Sequence, residues 1–202
     1  MGFYSRVIFP RLCDVLLKQP AIAKLRRELL AHAEGSILEI GFGTGLNLPC
    51  YPPAVRGITA VDPNPGMHRL ASRRIHQTGI EVDHHQLRSE QLPFDACSID
   101  CVISTFTLCS IDDVDQALRE VRRVLKPGGR FLFLEHGLSP DPGVQRWQRR
   151  LNWLEGLLAD GCRLDRNVRE LVRSFAPEHV DEFYLERTPR THGYLYRGIV
   201  RR

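Results

Sequence analysis

The sequence predicts an α/β fold: a mostly parallel sheet with helices on both faces. Three observations carry that prediction. Short apolar runs, at about 36–40, 57–61 and 99–104, alternate with stretches of helical periodicity. The first run, Ile37-Leu38-Glu39-Ile40, leads directly into Gly41-Phe42-Gly43-Thr44-Gly45-Leu46-Asn47. A strand that feeds closely spaced glycines lets the backbone approach a ligand, because glycine lacks a Cβ and tolerates positive φ. Finally, the chain closes on two consecutive strand-like runs, about 179–187 and 193–200, joined by a short link. That spacing predicts an antiparallel hairpin added to the sheet.

The elements follow in order. Residues 3–18 are apolar and aromatic, and Tyr4, Ile8, Leu12 and Leu16 recur at every fourth position, so they share a helix face. Pro10 breaks or bends any single helix there, because it has no N–H to donate. Three roles fit this arm: packing on the main domain, a mobile lid over a ligand, or a helix lying on a membrane surface. A second helix follows Pro20, with Ile22, Leu25, Leu29 and Leu30 as its apolar stripe and Gly35 as its C-cap. Residues 1–34 therefore read as a helical arm or lid, and 35–202 as the main domain.

After the glycine turn, Pro49, Pro52 and Pro53 cut the expected helix short. The second strand ends at Asp62, and Asp62-Pro63-Asn64-Pro65-Gly66 turns into a helix of about 65–77. A weak third strand spans about 82–86. The fourth has Cys101, Val102 and Ile103 at its centre. Asp112 and Asp113 are N-cap candidates for the next helix. There Val114, Ala117, Leu118, Val121, Val124 and Leu125 share one face, with Arg119, Arg122, Arg123 and Lys126 opposite. Pro127-Gly128-Gly129 ends that helix, and a fifth strand covers about 130–134. Residues 143–176 turn helical again, in two pieces of about 144–158 and 166–175, and make a small cap inserted at about 140–178.

Composition narrows the function classes. The chain has 202 residues, 43% of them hydrophobic and 26% charged, with a net charge of +4. That length buries a proper core, and the mild basicity, with no isolated basic run, sets nucleic acid aside as a partner. No apolar run approaches the ~18 residues a membrane span requires, so no transmembrane segment is expected; peripheral membrane contact through the arm stays open. Arg6 stands where N-myristoylation needs Ser or Thr. The six cysteines include no Cys-x-x-Cys pair, and Cys97-x-x-x-Cys101 is too loose for a metal site. They read as reduced thiols of a cytoplasmic protein.

The glycines select among nucleotide ligands. A dinucleotide fingerprint is Gly-x-Gly-x-x-Gly, its third glycine packing a helix over a pyrophosphate. Here that third position is Leu46, and the extra glycine is Gly45. Asp62, at the end of the second strand, is placed to take both hydroxyls of a ribose. The pattern fits an adenosine-type nucleoside without a pyrophosphate cradle.

Further motifs sharpen this. Glu39-Ile40-Gly41-Phe42-Gly43-Thr44-Gly45, Val61-Asp62, Glu90-Gln91-Leu92-Pro93-Phe94 and Val124-Leu125-Lys126-Pro127-Gly128-Gly129 together closely resemble class I S-adenosylmethionine-dependent methyltransferases, over roughly residues 35–135. The resemblance implies a Rossmann-like sheet of seven strands, the last antiparallel. It implies S-adenosylmethionine as cofactor, S-adenosylhomocysteine as product and a small-molecule methyl acceptor. By motif, Gly41, Gly43 and Gly45 approach the methionine part, with Glu39 and Asn47 bracketing the turn. Asp62 binds the ribose, Pro63 and Met67 flank sugar or adenine, and Glu90 and Gln91 line the adenine edge. Ser104 and Thr105 lie near the sulfonium. One departure stands out: the Gly-Asp pair that often precedes Glu-x-Leu-Pro-Phe is replaced by Leu87 and Arg88.

A narrower resemblance rests on Thr107-Leu108-Cys109-Ser110, Phe133-Leu134-Glu135-His136 and Asp160-Gly161-Cys162-Arg163-Leu164-Asp165-Arg166. These look like the methyltransferase-like subfamily that includes the alkyl thiol methyltransferases, which implies a thiol acceptor. His136, ending the fifth strand, is the candidate base or substrate orienter; a histidine bonded to a loop carbonyl is the alternative. Glu135 orients it or caps the next helix. Asp160 and Arg166 shape an acceptor pocket or form a structural pair, and His192 can reach the same sheet edge. Cys109 and Cys162 read as small buried hydrophobes. Trp147, Trp153 and Phe175 are apolar walls of the cap or core, and Arg146, Arg149 and Arg150 a solvated face or a headgroup contact. The rival readings are a lipid or quinone-type acceptor, a non-catalytic S-adenosylmethionine-binding module and a nicotinamide enzyme.

Overall fold

A computed structural model describes residues 2–202. Seven strands form one sheet in the order β3-β2-β1-β4-β5-β7-β6. They are β1 (Ile37–Ile40), β2 (Gly57–Val61), β3 (Glu81–His85), β4 (Ile99–Thr105), β5 (Leu125–His136), β6 (Ala176–Tyr184) and β7 (Tyr194–Arg201). The pairs among β1 to β5 are all parallel. β7 runs antiparallel to both β5 and β6, so it alone is reversed. β1 is buried at all four positions, as expected of a central strand covered on both faces.

The helices are α1 (Phe9–Leu17), α2 (Pro20–Leu30), α3 (Pro65–Thr78), α4 (Val114–Val124), α5 (Pro142–Leu158) and α6 (Val168–Leu171). Two apolar clusters fill the two sides of the sheet. One joins Val102, Phe131 and Phe133 to the Val114, Leu118 and Val121 stripe of α4. The other joins Ile37, Ile58 and Leu132 to Leu29 and Leu30 of α2 and Ala71 of α3. α4 starts where sequence places it: Asp113 caps it by accepting from Gln116 N. Asn64 caps α3 in the same way, and Gly79, at φ 68°, ends it.

Several boundaries differ from the sequence expectation, for local reasons. The arm does not break at Pro10: a π-helical turn, Tyr4–Ile8, runs directly into α1, which carries Pro10 in its first turn where the missing N–H costs little. The helix after the glycine turn shrinks to a 3-10 turn, Leu48–Cys50. β5 begins at Leu125, ahead of the expected 130. Leu125 pairs with Ile99, and the register resumes at Arg130 against Cys101, so Pro127-Gly128-Gly129 bulges outward. α6 is one turn long instead of ten residues: residues 172–175 form a turn, and β6 starts at Ala176, ahead of the expected 179. Trp147 and Trp153 are neither core nor cap wall; they are 57% and 72% exposed on α5. Phe175 does join the core.

The arm docks on the start of α3. Asn64 Nδ2 donates to Ser5 O at 2.8 Å, Ser5 Oγ donates to Asp160, and Tyr4 Oη donates to Leu158 O. Gly66 makes this approach possible: a Cβ there would stand 1.9 Å from the carbonyl oxygen of Arg6. Backbone cannot move aside as a side chain can. Gly66→Ala should therefore lift the arm, and limited trypsinolysis at Arg6 and Arg11 should accelerate; unchanged cleavage would show that the arm is held elsewhere.

Candidate active site

The carboxyl ends of β1, β2 and β4 open into a cavity of about 430 Å³. It sits where strand order reverses between β1 and β4, the place where open α/β sheets bind ligands. Gly41 and Gly43 supply one wall, and Asp62, Pro63, Asn64 and Met67 the next. Leu87 to Glu90 close one end; Thr105, Phe106 and Thr107 follow β4 along the other side. α1 lies over the top with Phe9, Cys13 and Leu17, and Asp160 and Gly161 reach in from the loop after α5.

The glycine turn is held tightly. Gly41 N donates to Val61 O at 2.8 Å, which staples the turn to β2. Gly41 takes φ 67°, and a Cβ there would lie 2.1 Å from Thr107 Oγ1, so only glycine fits. At Gly43 the opposite holds: an added Cβ would meet nothing nearer than the Gly41 carbonyl at 3.8 Å. That free space is the room a ligand needs against bare backbone. Gly45 is buried away from the cavity, against Leu48 and Ala71.

Asp62 faces this space. Its Oδ2 accepts from Gly43 N and its Oδ1 from Asn64 N, both at 2.8 Å. Each oxygen keeps a further lone pair for a hydroxyl. Burial pushes its carboxyl up to about 6, against the pull of those two N–H groups.

Beneath the turn lies a polar network. Glu39, wholly buried, accepts from Asn47 Nδ2 at 2.9 Å and from Tyr51 Oη at 2.6 Å. Burial raises Glu39 to about 7, while Tyr51, Arg26 and Asn47 pull it down. Arg26 is the residue that sequence reasoning missed. It comes from α2, is 4% exposed, and donates Nη1 to both Asn47 Oδ1 and Thr105 Oγ1 at 2.6 Å. Its Nε is buried without a partner among the described residues, and the residue lines the cavity. The single sequence signal was a charge at the buried stripe of α2, one residue from Leu25 and three from Leu29.

The structure brings Gly41, Gly43, Asp62, Pro63, Met67, Glu90, Thr105 and Asp160 together on the wall. Other predicted residues stand elsewhere. Gln91 is exposed and off the wall, its backbone N bonded to Arg88 O. Glu39 and Asn47 lie under the turn as supports. Ser104 Oγ donates to Glu135, away from the cavity. Glu135 neither orients His136 nor caps a helix: fully buried, it accepts from Thr107 N and Leu108 N and so fixes the loop after β4. Burial, with Cys109 beside it, pushes Glu135 up to about 8. Arg166 donates to Ile111 O from behind the wall. His192 pairs with Glu155 of α5 at 3.0 Å and does not reach the cavity.

His136 also stands behind the wall. Its ring stacks on Phe106, with centroids 6.5 Å apart, and its Nε2 lies 3.2 Å from Cys162 Sγ rather than at a loop carbonyl. Cys109 Sγ belongs to the same group, so these cysteines are members of a polar cluster, not inert hydrophobes. The hydrogen bond from Cys162 holds the Cys109 thiol well below the usual range, burial opposes this, and His136 adds to it.

Comparison with known proteins adds the family. A model described as "Methyltransferase domain" matches residues 38–133. Human thiol S-methyltransferase TMT1A is 34% identical over 163 residues, covering 72% of this chain and 64% of that protein. The chain thus spans a little under two thirds of that relative. Human thiol S-methyltransferase TMT1B is 31% identical over 199 residues, covering 90% of this chain and 78% of that protein. Among solved structures, YcgJ from Bacillus subtilis matches with a TM-score of 0.65 at 20% identity, over 90% of this chain and 95% of that one, a likeness of fold.

Proposed function

Because the chain belongs to the class I S-adenosylmethionine-dependent methyltransferases, we propose that it transfers a methyl group from S-adenosylmethionine to a small-molecule thiol. The observation that carries the cofactor reading is Asp62: a buried carboxylate beside a bare glycine turn, with an acceptor lone pair free on each oxygen. In this reading the ribose hydroxyls bond to Asp62, and Met67, Leu87 and Glu90 border the adenine. The unpartnered Nε of Arg26 takes the cofactor carboxylate. The thiol acceptor is supported by the names of TMT1A and TMT1B and by the apolar acceptor wall of Phe9, Leu17, Phe106 and Ile111.

The cofactor supplies an activated methyl on a sulfonium. The chain's own work is alignment: holding an acceptor sulfur in line with that methyl and excluding water, for which α1 forms a roof. Orientation of this kind contributes up to ~7–11 kcal/mol in the best cases. A free thiol of pKa ~8.5 is only a few per cent thiolate at pH 7, so a group that favours the thiolate adds to the rate.

A panel of acceptors tests the reading, with S-adenosylhomocysteine release and product mass as readouts. Alkyl thiols should turn over while alcohols of the same shape do not. Turnover of a quinol alone contradicts the thiol assignment. Tight cofactor binding without turnover on any acceptor contradicts the enzyme.

Asp62 gives a pH signature. A carboxyl raised to about 6 in the free protein must be ionised to accept two hydroxyls. S-adenosylhomocysteine affinity should be flat from pH 7 to 8 and fall below about 6, by up to ~10-fold per pH unit. Asp62→Asn should flatten that fall; an unchanged profile would remove Asp62 from the titration.

A second reading, a lipid-embedded acceptor, has its own observation. Val15, Leu16 and Phe3 of the arm and Trp153 and Leu157 of α5 are all exposed apolar groups, and Arg146, Arg149 and Arg150 stand exposed on the same helix. No helix among the described residues is long and apolar enough to cross a membrane, so contact would be peripheral. Co-sedimentation with anionic vesicles, lost in Trp153→Glu, supports this reading; absence of binding by the native protein ends it. Otherwise the protein works in the cytoplasm, where its six free thiols stay reduced.

A further inference from the structure

We propose that Cys109, His136 and Cys162 form a binding site for a zinc-class divalent cation, whose fourth coordination position adjoins the acceptor end of the cavity. The three residues come from three separate segments: the loop after β4, the end of β5 and the loop after α5. Their candidate ligand atoms all lie within 4.8 Å of one another, and Cys162 Sγ is 3.2 Å from His136 Nε2. Bond lengths of ~2.3 Å to sulfur and ~2.0 Å to nitrogen put the ligand atoms of a tetrahedral ion roughly 3.5–3.8 Å apart. The cluster therefore needs only small adjustments to close on an ion.

The backbone holds the ligands in place. Arg163 N donates to Cys109 O, Leu138 N to Arg166 O, and Cys162 N to Ala159 O, which ties the three segments together. The surroundings offer the imidazole little: its Nδ1 is buried and has no partner among the described residues. An ion taking all three groups explains why the loops bring two thiols and a histidine to one point. Two sulfurs and one imidazole select a borderline-soft ion over magnesium or calcium. Three protein ligands also leave one position open, the arrangement of catalytic rather than structural zinc.

That position lies toward the cavity. His136 is partly exposed and stacks on Phe106, which lines the cavity along with Ser110 and Gly161, the neighbours of Cys109 and Cys162. The chemical class that suits it is a thiol. It binds through sulfur as the thiolate, and its proton leaves to solvent. This last step rests on the thiol reading above; the metal site itself does not.

The test uses reduced, metal-free full-length protein, titrated with Zn²⁺ against a chromogenic chelator and, in parallel, with Co²⁺. One ion per chain should bind, and Co²⁺ should show a sulfur-to-metal charge-transfer band. Cys109→Ser and Cys162→Ser should each weaken binding by at least about tenfold and diminish that band, while retained S-adenosylhomocysteine binding shows that the variants are folded. Adding an alkyl thiol should shift the cobalt spectrum, and the matched alcohol should not. Binding that is absent, or that survives the double serine variant, overturns the site. So does a Cys109–Cys162 disulfide formed in air by a protein that, once reduced, takes no metal. Undiminished thiol methylation by metal-free protein overturns the site's role and leaves the acceptor assignment standing. A bound Co²⁺ blind to thiols overturns the fourth-position assignment.

Discussion

Replacing Arg26 with alanine should destabilise the protein by roughly 3–5 kcal/mol, the cost of stripping one partner from a buried charged network. Arg26 is the cation inside that network. Without it, Asn47 Oδ1 and Thr105 Oγ1 each lose their 2.6 Å donor, and the buried Glu39 carboxyl loses the guanidinium that helps to hold its proton affinity down. The cavity also loses a guanidinium from its lining. Two losses should therefore appear together: a lower urea midpoint and weaker S-adenosylhomocysteine binding. Arg26→Lys separates them. It retains a charge but not the forked geometry that serves two acceptors at once, so it should recover part of the stability and little of the binding. Unchanged unfolding in Arg26→Ala would mean that solvent reaches the network and that Arg26 carries neither role.

Asp62→Ala should weaken cofactor binding by about 100-fold, or ~2.7 kcal/mol, the scale of losing charge-assisted hydrogen bonds to two hydroxyls. The same change strips the acceptor from Gly43 N and Asn64 N, so the turn loosens as well. Asp62→Asn is the sharper variant. The carboxyl pKa is raised by burial to about 6, above the unfolded value of ~3.9. The stability of its neutral form is thus fully present below the unfolded pKa and is lost as pH rises through about 6. At pH 7 the free protein holds an ionised group that burial disfavours. The asparagine amide carries no such charge but leaves one of Gly43 N and Asn64 N without an acceptor, so the variant should bind cofactor poorly while losing less stability than Asp62→Ala, which strips both. Thermal melts with and without S-adenosylhomocysteine read both quantities; equal ligand-induced shifts in the two proteins would exclude Asp62 from the site.

Much of the fold was legible because its signals are local. The α4 stripe, the Asp113 cap and the central strands follow from periodicity and capping alone. The reversed last strand followed from two strand-like runs too close for a crossover. The boundaries that went astray were decided by tertiary partners. β6 starts at Ala176, ahead of the expected 179, because β7 pairs with it from there, and Leu125 belongs to both the α4 stripe and β5. In the site, the Gly41-to-Gly45 turn and Asp62 were readable, since glycines after a strand and an acid at the next strand's end depend on few neighbours. Arg26, Cys109 and Cys162 were not. Their environment is made by segments far apart in sequence, and no spacing rule joins residue 109 to 136 and 162. Glu135 shows the same limit: its position at a strand end suggested chemistry, whereas its two backbone partners make it a strut.

The central claim is that the cavity over the glycine turn is an S-adenosylmethionine site. Calorimetric titration of the native protein with S-adenosylhomocysteine and, separately, with NAD tests it most directly. One S-adenosylhomocysteine should bind per chain, weakened about 100-fold by Asp62→Ala, with no comparable heat from NAD. Preference for NAD, or S-adenosylhomocysteine binding indifferent to Asp62, would contradict it.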